Sequence, residues 1–497
     1  MKKLKELLSD TLIYGISSVG ARFLNYLLVP FYTKYFAPGA YGIIGLIYSA
    51  VGFLNILFQF GMESAYLRYA ADRDKAGDVY KTLQFGLFGV STALALVVWL
   101  IKPFALPYLG LTAETENLYL MMIAILWLDA LGIVPFAELR LNRQAMTFAG
   151  VKLFHVLVNL ALNFYLVIGL DWGLEAVLVS NLVASLVATV MVILLTYRRW
   201  KGTSSSPIFL KALKFGLPFV PTGVGYAINE FLDRFFLNAM EAGEVESVYG
   251  AGYTSDAITG IYNACYKLAI FMPLLVQMFR MAWQPFFLRN ADNPDARNLF
   301  ADVFLYFNAG AALLFLGISL FAEYIVQIRI PILDATIIDS RYWMGLNVVP
   351  LLLLAYWFQG WYTNFTAGIF IKEKTSLLPY ITLFGAGLTI VANIILVPRF
   401  GMMGAATATL LSYSSMALLL YAQTRRIYRV PYSFRRTLPV MGMAVALYYL
   451  FDYTSVLPWV TWLNALLIFV AGVTATALLT LTKRDTLKRL KRFSTGK

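Results

Sequence analysis

The sequence predicts an all-α integral membrane protein with 14 transmembrane helices: two six-helix lobes in parallel repeat, plus an appended helix pair. Three observations carry this. The 497 residues are 60% hydrophobic and 13% charged, against about 25% charged in ordinary globular domains. The apolar residues fall into runs long enough for a hydrocarbon core of about 30 Å. The basic residues are segregated between those runs in a strongly one-sided way.

The runs lie at about 9–34, 40–67, 80–101, 117–140, 147–169, 173–197, 208–238, 248–285, 299–323, 342–371, 376–397, 402–424, 437–453 and 459–482. The first follows a basic start, Met1-Lys2-Lys3-Leu4-Lys5, and shows no small-residue cleavage site, so it reads as a retained span. With the N-terminus inside, 31 Lys and Arg residues fall on the cytoplasmic side, five in outer loops and four within spans. That asymmetry is the positive-inside pattern, and a miscounted span would have swapped the sides of everything after it. Both termini are therefore expected on the cytoplasmic side of the membrane.

Composition also excludes function classes. The single cysteine, Cys265, rules out an internal disulfide or a multi-cysteine metal site. The single histidine, His155, argues against a zinc site or a histidine triad. The net charge of +13 is spread as topology signals between spans, so nucleic acid is not an expected partner. Outer loops are short, the longest running from about Glu323 to Arg341. A membrane enzyme acting on lipid-linked sugars, such as a polymerase or ligase, would need carboxylates and space there.

The repeat is seen in matched fragments. Asn163-Phe-Tyr-Leu-Val matches Asn393-Ile-Ile-Leu-Val, and Tyr41-Gly42 matches Tyr249-Gly250. An even number of spans separates equivalent helices, so the copies are parallel. The lobes are residues 1–200 and 207–425. The appended pair occupies 437–482, and 483–497 is a basic cytoplasmic tail with Leu487 and Leu490 on one side, suited to anionic lipid.

Charged and polar residues interrupt spans where ionised groups are costly and usually functional. Within Leu217–Pro285 these are Glu230, Asp233, Arg234, Asp256, Asn263 and Lys267. The offset between copies sets Arg22 against Glu230 and Asn25 against Asp233, and Asn55 and Gln59 against Asn263 and Lys267. Spacings of three or four place each set on one helix face, with Glu63 continuing the Asn55 and Gln59 line. The first two helices of each lobe are thus expected to surround one polar cavity. On the fifth span Lys152, His155, Asn159 and Asn163 share a face; its equivalent carries Thr382, Gly385, Thr389 and Asn393. For these Asn and Thr positions, helix packing and cavity lining both remain open. His155 reads as a hydrogen-bonder or lining residue rather than a proton relay, because no acidic partner stands at helical spacing. For Arg22, Arg234 and Lys267, anion recognition competes with structural pairing to Glu230, Asp233 or Asp256. Glu138 reads as a solvated ion-pair partner of Arg140 and Arg143. Asp129 lies deeper, where a coupling ion could bind.

Three fragments resemble the polysaccharide flippases of the MOP exporter superfamily. They are Val29-Pro30-Phe31-Tyr32-Thr33-Lys34-Tyr35-Phe36-Ala37-Pro38-Gly39-Ala40-Tyr41-Gly42; Gly61-Met62-Glu63-Ser64-Ala65 with Arg68-Tyr69; and Leu217-Pro218 with Asp233-Arg234-Phe235-Phe236-Leu237 and Val248-Tyr249-Gly250. The resemblance implies a V-shaped, alternating-access transporter and no enzyme. Its implied substrate is an undecaprenyl-diphosphate-linked oligosaccharide moved to the outer leaflet for cell-surface polysaccharide synthesis. Its implied partners are the polyprenyl-diphosphate-linked glycan, the lipid bilayer and polysaccharide-assembly proteins. Arg22, Arg234 and Lys267 are the positions suited to a diphosphate or an acidic sugar. No cofactor is implied, and a proton or a sodium ion stays open as coupling ion. A lipid II-type flippase is the near alternative. A multidrug exporter of the same superfamily would call for twelve helices and a carboxylate-dominated pocket.

Overall fold

A computed structural model describes residues 28–72, 74–455 and 462–481. Residues 9–27 of the expected first span, with Arg22 and Asn25, and the basic tail lie outside these residues. The remaining expected spans coincide with helices. In order these are α1 (Leu28–Tyr35), α2 (Pro38–Gln59), α3 (Met62–Tyr69), α4 (Ala76–Leu100), α5 (Glu116–Leu141), α6 (Ala145–Phe164) and α7 (Gly173–Leu195). Next come α8 (Ser206–Gly216), α9 (Phe219–Asn238), α10 (Ala242–Tyr249), α11 (Ser255–Ala269), α12 (Phe271–Arg289) and α13 (Ala296–Gln327). The chain continues through α14 (Val348–Ile371), α15 (Leu377–Ile427), α16 (Phe434–Ser455) and α17 (Trp462–Leu481). Among the described residues eight helices are long and apolar enough to cross a membrane, or up to ten if each bent pair is one span. The bent pairs are α8 with α9 and α11 with α12, each turning by 44°. The run α15 has 51 residues, about twice what a bilayer needs at ~1.5 Å per residue. Non-helical φ/ψ at Gly401 divides it where the sequence places a loop between two spans.

The chain divides into two compact units: Met1–Asn263 with Val397–Gly401, and Ala264–Leu396 with Met402–Lys497. In the first, α5 is central, packing against α2, α3, α4 and α7, while α6 lies on α7. Pro135 inside α5 has no N–H, which would strand the carbonyl of Leu131 one turn earlier. The buried amide of Gln84 on α4 fills that vacancy, its Nε2 donating to Leu131 O at 2.8 Å. A packed neighbour thus allows a proline within a membrane-length helix.

The join between α2 and α3 needs glycine. Gly61 has φ of 74°, and a Cβ there would run into the Gly216 backbone of α8. Gly61→Ala combines left-handed strain with overpacking, and is expected to cost about 2–4 kcal/mol. A thermal unfolding comparison in detergent checks it; an unchanged midpoint would refute this account.

In the second unit α13 packs against α14, α16 and α17. Asn308 on α13 accepts from both Trp357 Nε1, at 2.8 Å, and Trp361 Nε1, at 2.6 Å. A two-stranded antiparallel turn, β1 (Arg329–Ile330) with β2 (Ala335–Thr336), follows α13. Cys265 is fully buried, its Sγ 3.3 Å from the Tyr342 carbonyl.

Candidate functional site

A polar cavity of about 370 Å³ opens within the first unit. Four lines of side chains at helical spacing build it. Helices α2 and α3 give Asn55, Gln59 and Glu63; α5 gives Asp129, Ile133, Phe136 and Arg140; α6 gives Phe148, Lys152 and His155; α7 gives Asn181, Ser185, Ala188 and Thr189. Apart from the adjacent Ala188 and Thr189, the steps are three or four residues, so each helix shows the cavity a single stripe.

The charges are arranged unequally. Arg140 Nη1 contacts Glu63 Oε1, joining α5 to α3, with both side chains about two-fifths exposed. Lys152 instead rests its ammonium over the Phe136 ring, 4.2 Å from the centroid. Among the described residues no carboxylate lies within ion-pair distance of it. Asp129 and Glu63 act on it only as nearby charges. Asp129 lies against the Ser185 hydroxyl, which is also 3.4 Å from His155 Nε2. Asn181 Nδ2 donates to Tyr48 OH at 3.1 Å. The Oδ1 of Asn55 is buried and has no hydrogen-bond partner, a costly state that a guest with a donor group would relieve.

Of the residues singled out from sequence, Asn55, Gln59, Glu63, Lys152 and His155 meet here. Asn159, one turn further along α6, is buried and binds its own helix: Asn163 Nδ2 donates to Asn159 Oδ1 at 2.9 Å and to Asn159 O at 2.8 Å. In the second unit Asn393 Nδ2 likewise donates to Thr389 O at 2.8 Å. These side chains are buried within the bundles and do not line the cavity.

Glu230, Asp233, Arg234, Asp256 and Asn263 do not line this cavity. Asp233 and Arg234 are buried together on α9. Arg234 Nη1 donates to Asp233 Oδ1 at 2.7 Å and also to the Glu230 carbonyl. Tyr262 OH donates to Asp233 Oδ2 at 2.5 Å, and the guanidinium stands over the Tyr262 ring. The geometry is that of structural pairing, and it follows from adjacency: consecutive residues diverge around a helix, but the long Arg side chain can fold back. Glu230 is half-buried. Asp256 begins α11 facing Gly110 and Gly42, and Asn263 packs on Gly45. Lys267 is half-buried and belongs to the second unit.

Glu138 differs from its expected setting. It is 1% exposed, and its partner is Arg199, whose Nε donates at 2.6 Å. Tyr66 OH, at 2.6 Å, and Asn142 Nδ2, at 2.5 Å, also donate to it. Sequence proximity suggests Arg140 and Arg143, but Arg140 reaches across to Glu63 on α3. Asp129 was not assigned to a site from sequence, because its companions stand on other helices.

A family model described as polysaccharide biosynthesis protein matches residues 7–291. The chain belongs to this polysaccharide biosynthesis family of flippases. Among solved structures, the lipid II flippase MurJ in an inward closed conformation resembles this flippase with a TM-score of 0.73 at 14% identity. That alignment covers 96% of this chain and 100% of the other. An inward-facing multidrug resistance MATE transporter of the MOP superfamily gives a TM-score of 0.61 at 15% identity, over 85% and 96% of the two chains. A MOP superfamily transporter from Pyrococcus furiosus, titled for the reverse polarity of its binding pocket, gives 0.52 at 14% identity, over 86% and 96%. No curated protein matches the sequence. At these identities the likeness establishes the fold, which is that of multi-pass transporters rather than enzymes. The flippase is an almost entirely helical membrane protein with a charged cavity among its first helices.

Proposed function

We propose that this flippase moves an undecaprenyl-diphosphate-linked oligosaccharide from the cytoplasmic to the outer leaflet of the bacterial inner membrane, without covalent chemistry. The two lobes, 1–200 and 207–425, would rock about the head group while the polyprenyl tail stays in lipid. The observation that carries this is the cavity containing Lys152, a cation with no contact carboxylate among the described residues, inside a membrane bundle of a polysaccharide biosynthesis family. Such a cation is costly in lipid and suits an anionic oxygen group. In the topology expected from the basic residues, the Glu63 and Arg140 end of the cavity faces the cytoplasm, where the glycan is assembled.

A second reading, lipid II transport, is favoured by one observation. The MurJ match extends over 96% of the chain, the multidrug match over 85%. The difference is about the size of the appended pair at 437–482.

Reconstitution tests both. Vesicles carry a fluorescent polyprenyl-diphosphate oligosaccharide, and a membrane-impermeant reductant quenches the outer leaflet. Protein-free vesicles should keep their inner-leaflet signal, and vesicles with the flippase should lose it. Loss with lipid II but not with the oligosaccharide would select the second reading. Loss with neither would sink both.

A further inference from the structure

We propose that Asp129 makes anion binding at Lys152 proton-linked: ionised, it opposes an anion in the cavity; protonated, it admits one. The inference rests on the flippase reading above and names what regulates its site.

Five ionisable groups face the cavity: Glu63 from α3, Asp129 and Arg140 from α5, Lys152 and His155 from α6. Helix α7 brings only uncharged amides, hydroxyls and small side chains, α2 brings the amides of Asn55 and Gln59 to the lining and the Tyr48 phenol, bonded to Asn181, near Asp129, and α4 brings no lining residue. Glu63 and Arg140 are in contact and cancel. Lys152 and ionised Asp129 then leave the cavity neutral without touching. A metal cation gains little here, because Lys152 already supplies the positive charge. Among the described residues no cluster of His, Cys, Asp or Glu is fit to hold a metal ion.

An anionic oxygen group attracted to Lys152 must also face Asp129. Away from bulk water that like-charge encounter is expensive. One proton on an Asp129 oxygen removes the repulsion and turns an acceptor into a donor. The proton enters with the anion and returns to the medium when the anion leaves; no bond other than this O–H is made or broken. The anion can be the diphosphate of the carrier lipid or the carboxylate of an acidic sugar, since both present ionised oxygens.

Binding to the purified full-length flippase in detergent tests this, using glucuronate for the sugar carboxylate and geranyl diphosphate for the carrier. Glucuronate stays ionised between about pH 6 and pH 8, so its pH dependence reports the protein. Wild-type affinity should weaken as pH rises, by up to roughly tenfold per pH unit. Asp129→Asn should bind tightly with no pH slope. His155→Gln should keep the slope. Exchange of sodium for choline at constant ionic strength should change nothing. A slope that survives in Asp129→Asn, a slope lost in His155→Gln, or binding that requires sodium would each overturn the proposal. Binding that needs Lys152 but is flat with pH in the wild type would overturn it and leave the flippase reading standing. Failure of the wild type to bind either probe would count against both. Which probe binds distinguishes the lipid from the sugar source.

Discussion

Lys152→Ala is expected to lower the flipping rate by roughly 10- to 100-fold, with little change in stability. A hydrogen bond to a charged partner contributes about 1.5–3 kcal/mol, which sets that range. Stability should hold because the ammonium rests on Phe136 rather than on a carboxylate, and such a contact contributes only about 0.5–1 kcal/mol at an exposed site. Lys152→Arg should keep part of the activity, since the charge stays but the shape differs. The vesicle assay gives the rate, and thermal unfolding of the same preparations gives the stability. A Lys152→Ala protein that flips its substrate at the wild-type rate would remove the cavity from the transport path.

Asp233→Ala should have the largest effect on stability, about 3–5 kcal/mol, because it removes the buried carboxylate that holds both the Arg234 guanidinium and the Tyr262 hydroxyl. The side chains of Asp233 and Arg234 are 5% and 4% exposed, so water cannot stand in. The double replacement Asp233→Leu with Arg234→Met should recover most of the loss, since a buried pair is often matched by apolar residues of similar volume. The same variant separates two roles for Arg234. If it folds and flips normally, the arginine is structural. If it is stable and inactive, the guanidinium takes part in transport. Unfolding midpoints and flipping rates together decide, and a stable Asp233→Ala single variant would contradict the buried-pair account.

The fold was legible because lipid imposes two signals that survive in a single sequence: run length and charge asymmetry. Both act on whole segments, so errors of a few residues do not matter. The stripes were legible as well. Asn55, Gln59 and Glu63 share a face by spacing alone, and so do Lys152 and His155. The companions of each stripe were not legible. Asp129 stands on α5, and nothing in its own helix reveals that Lys152 of α6 and Ser185 of α7 will face it. The same limit misdirected Glu138, whose partner Arg199 is 61 residues away. Arg234 and Asp233 show the converse. Their adjacency was visible, but only their burial and the Tyr262 hydroxyl reveal how tightly the pair is held.

The burial of Cys265 has a practical consequence for labelling. Its thiol is enclosed and turned toward the Tyr342 carbonyl, so thiol reagents should pass it by in the folded protein. A cysteine placed at the 96% exposed Ile332, or at Lys152, would then be the one site that takes up a probe. Movements of this flippase can be followed with spin labels or fluorophores without first removing the native cysteine.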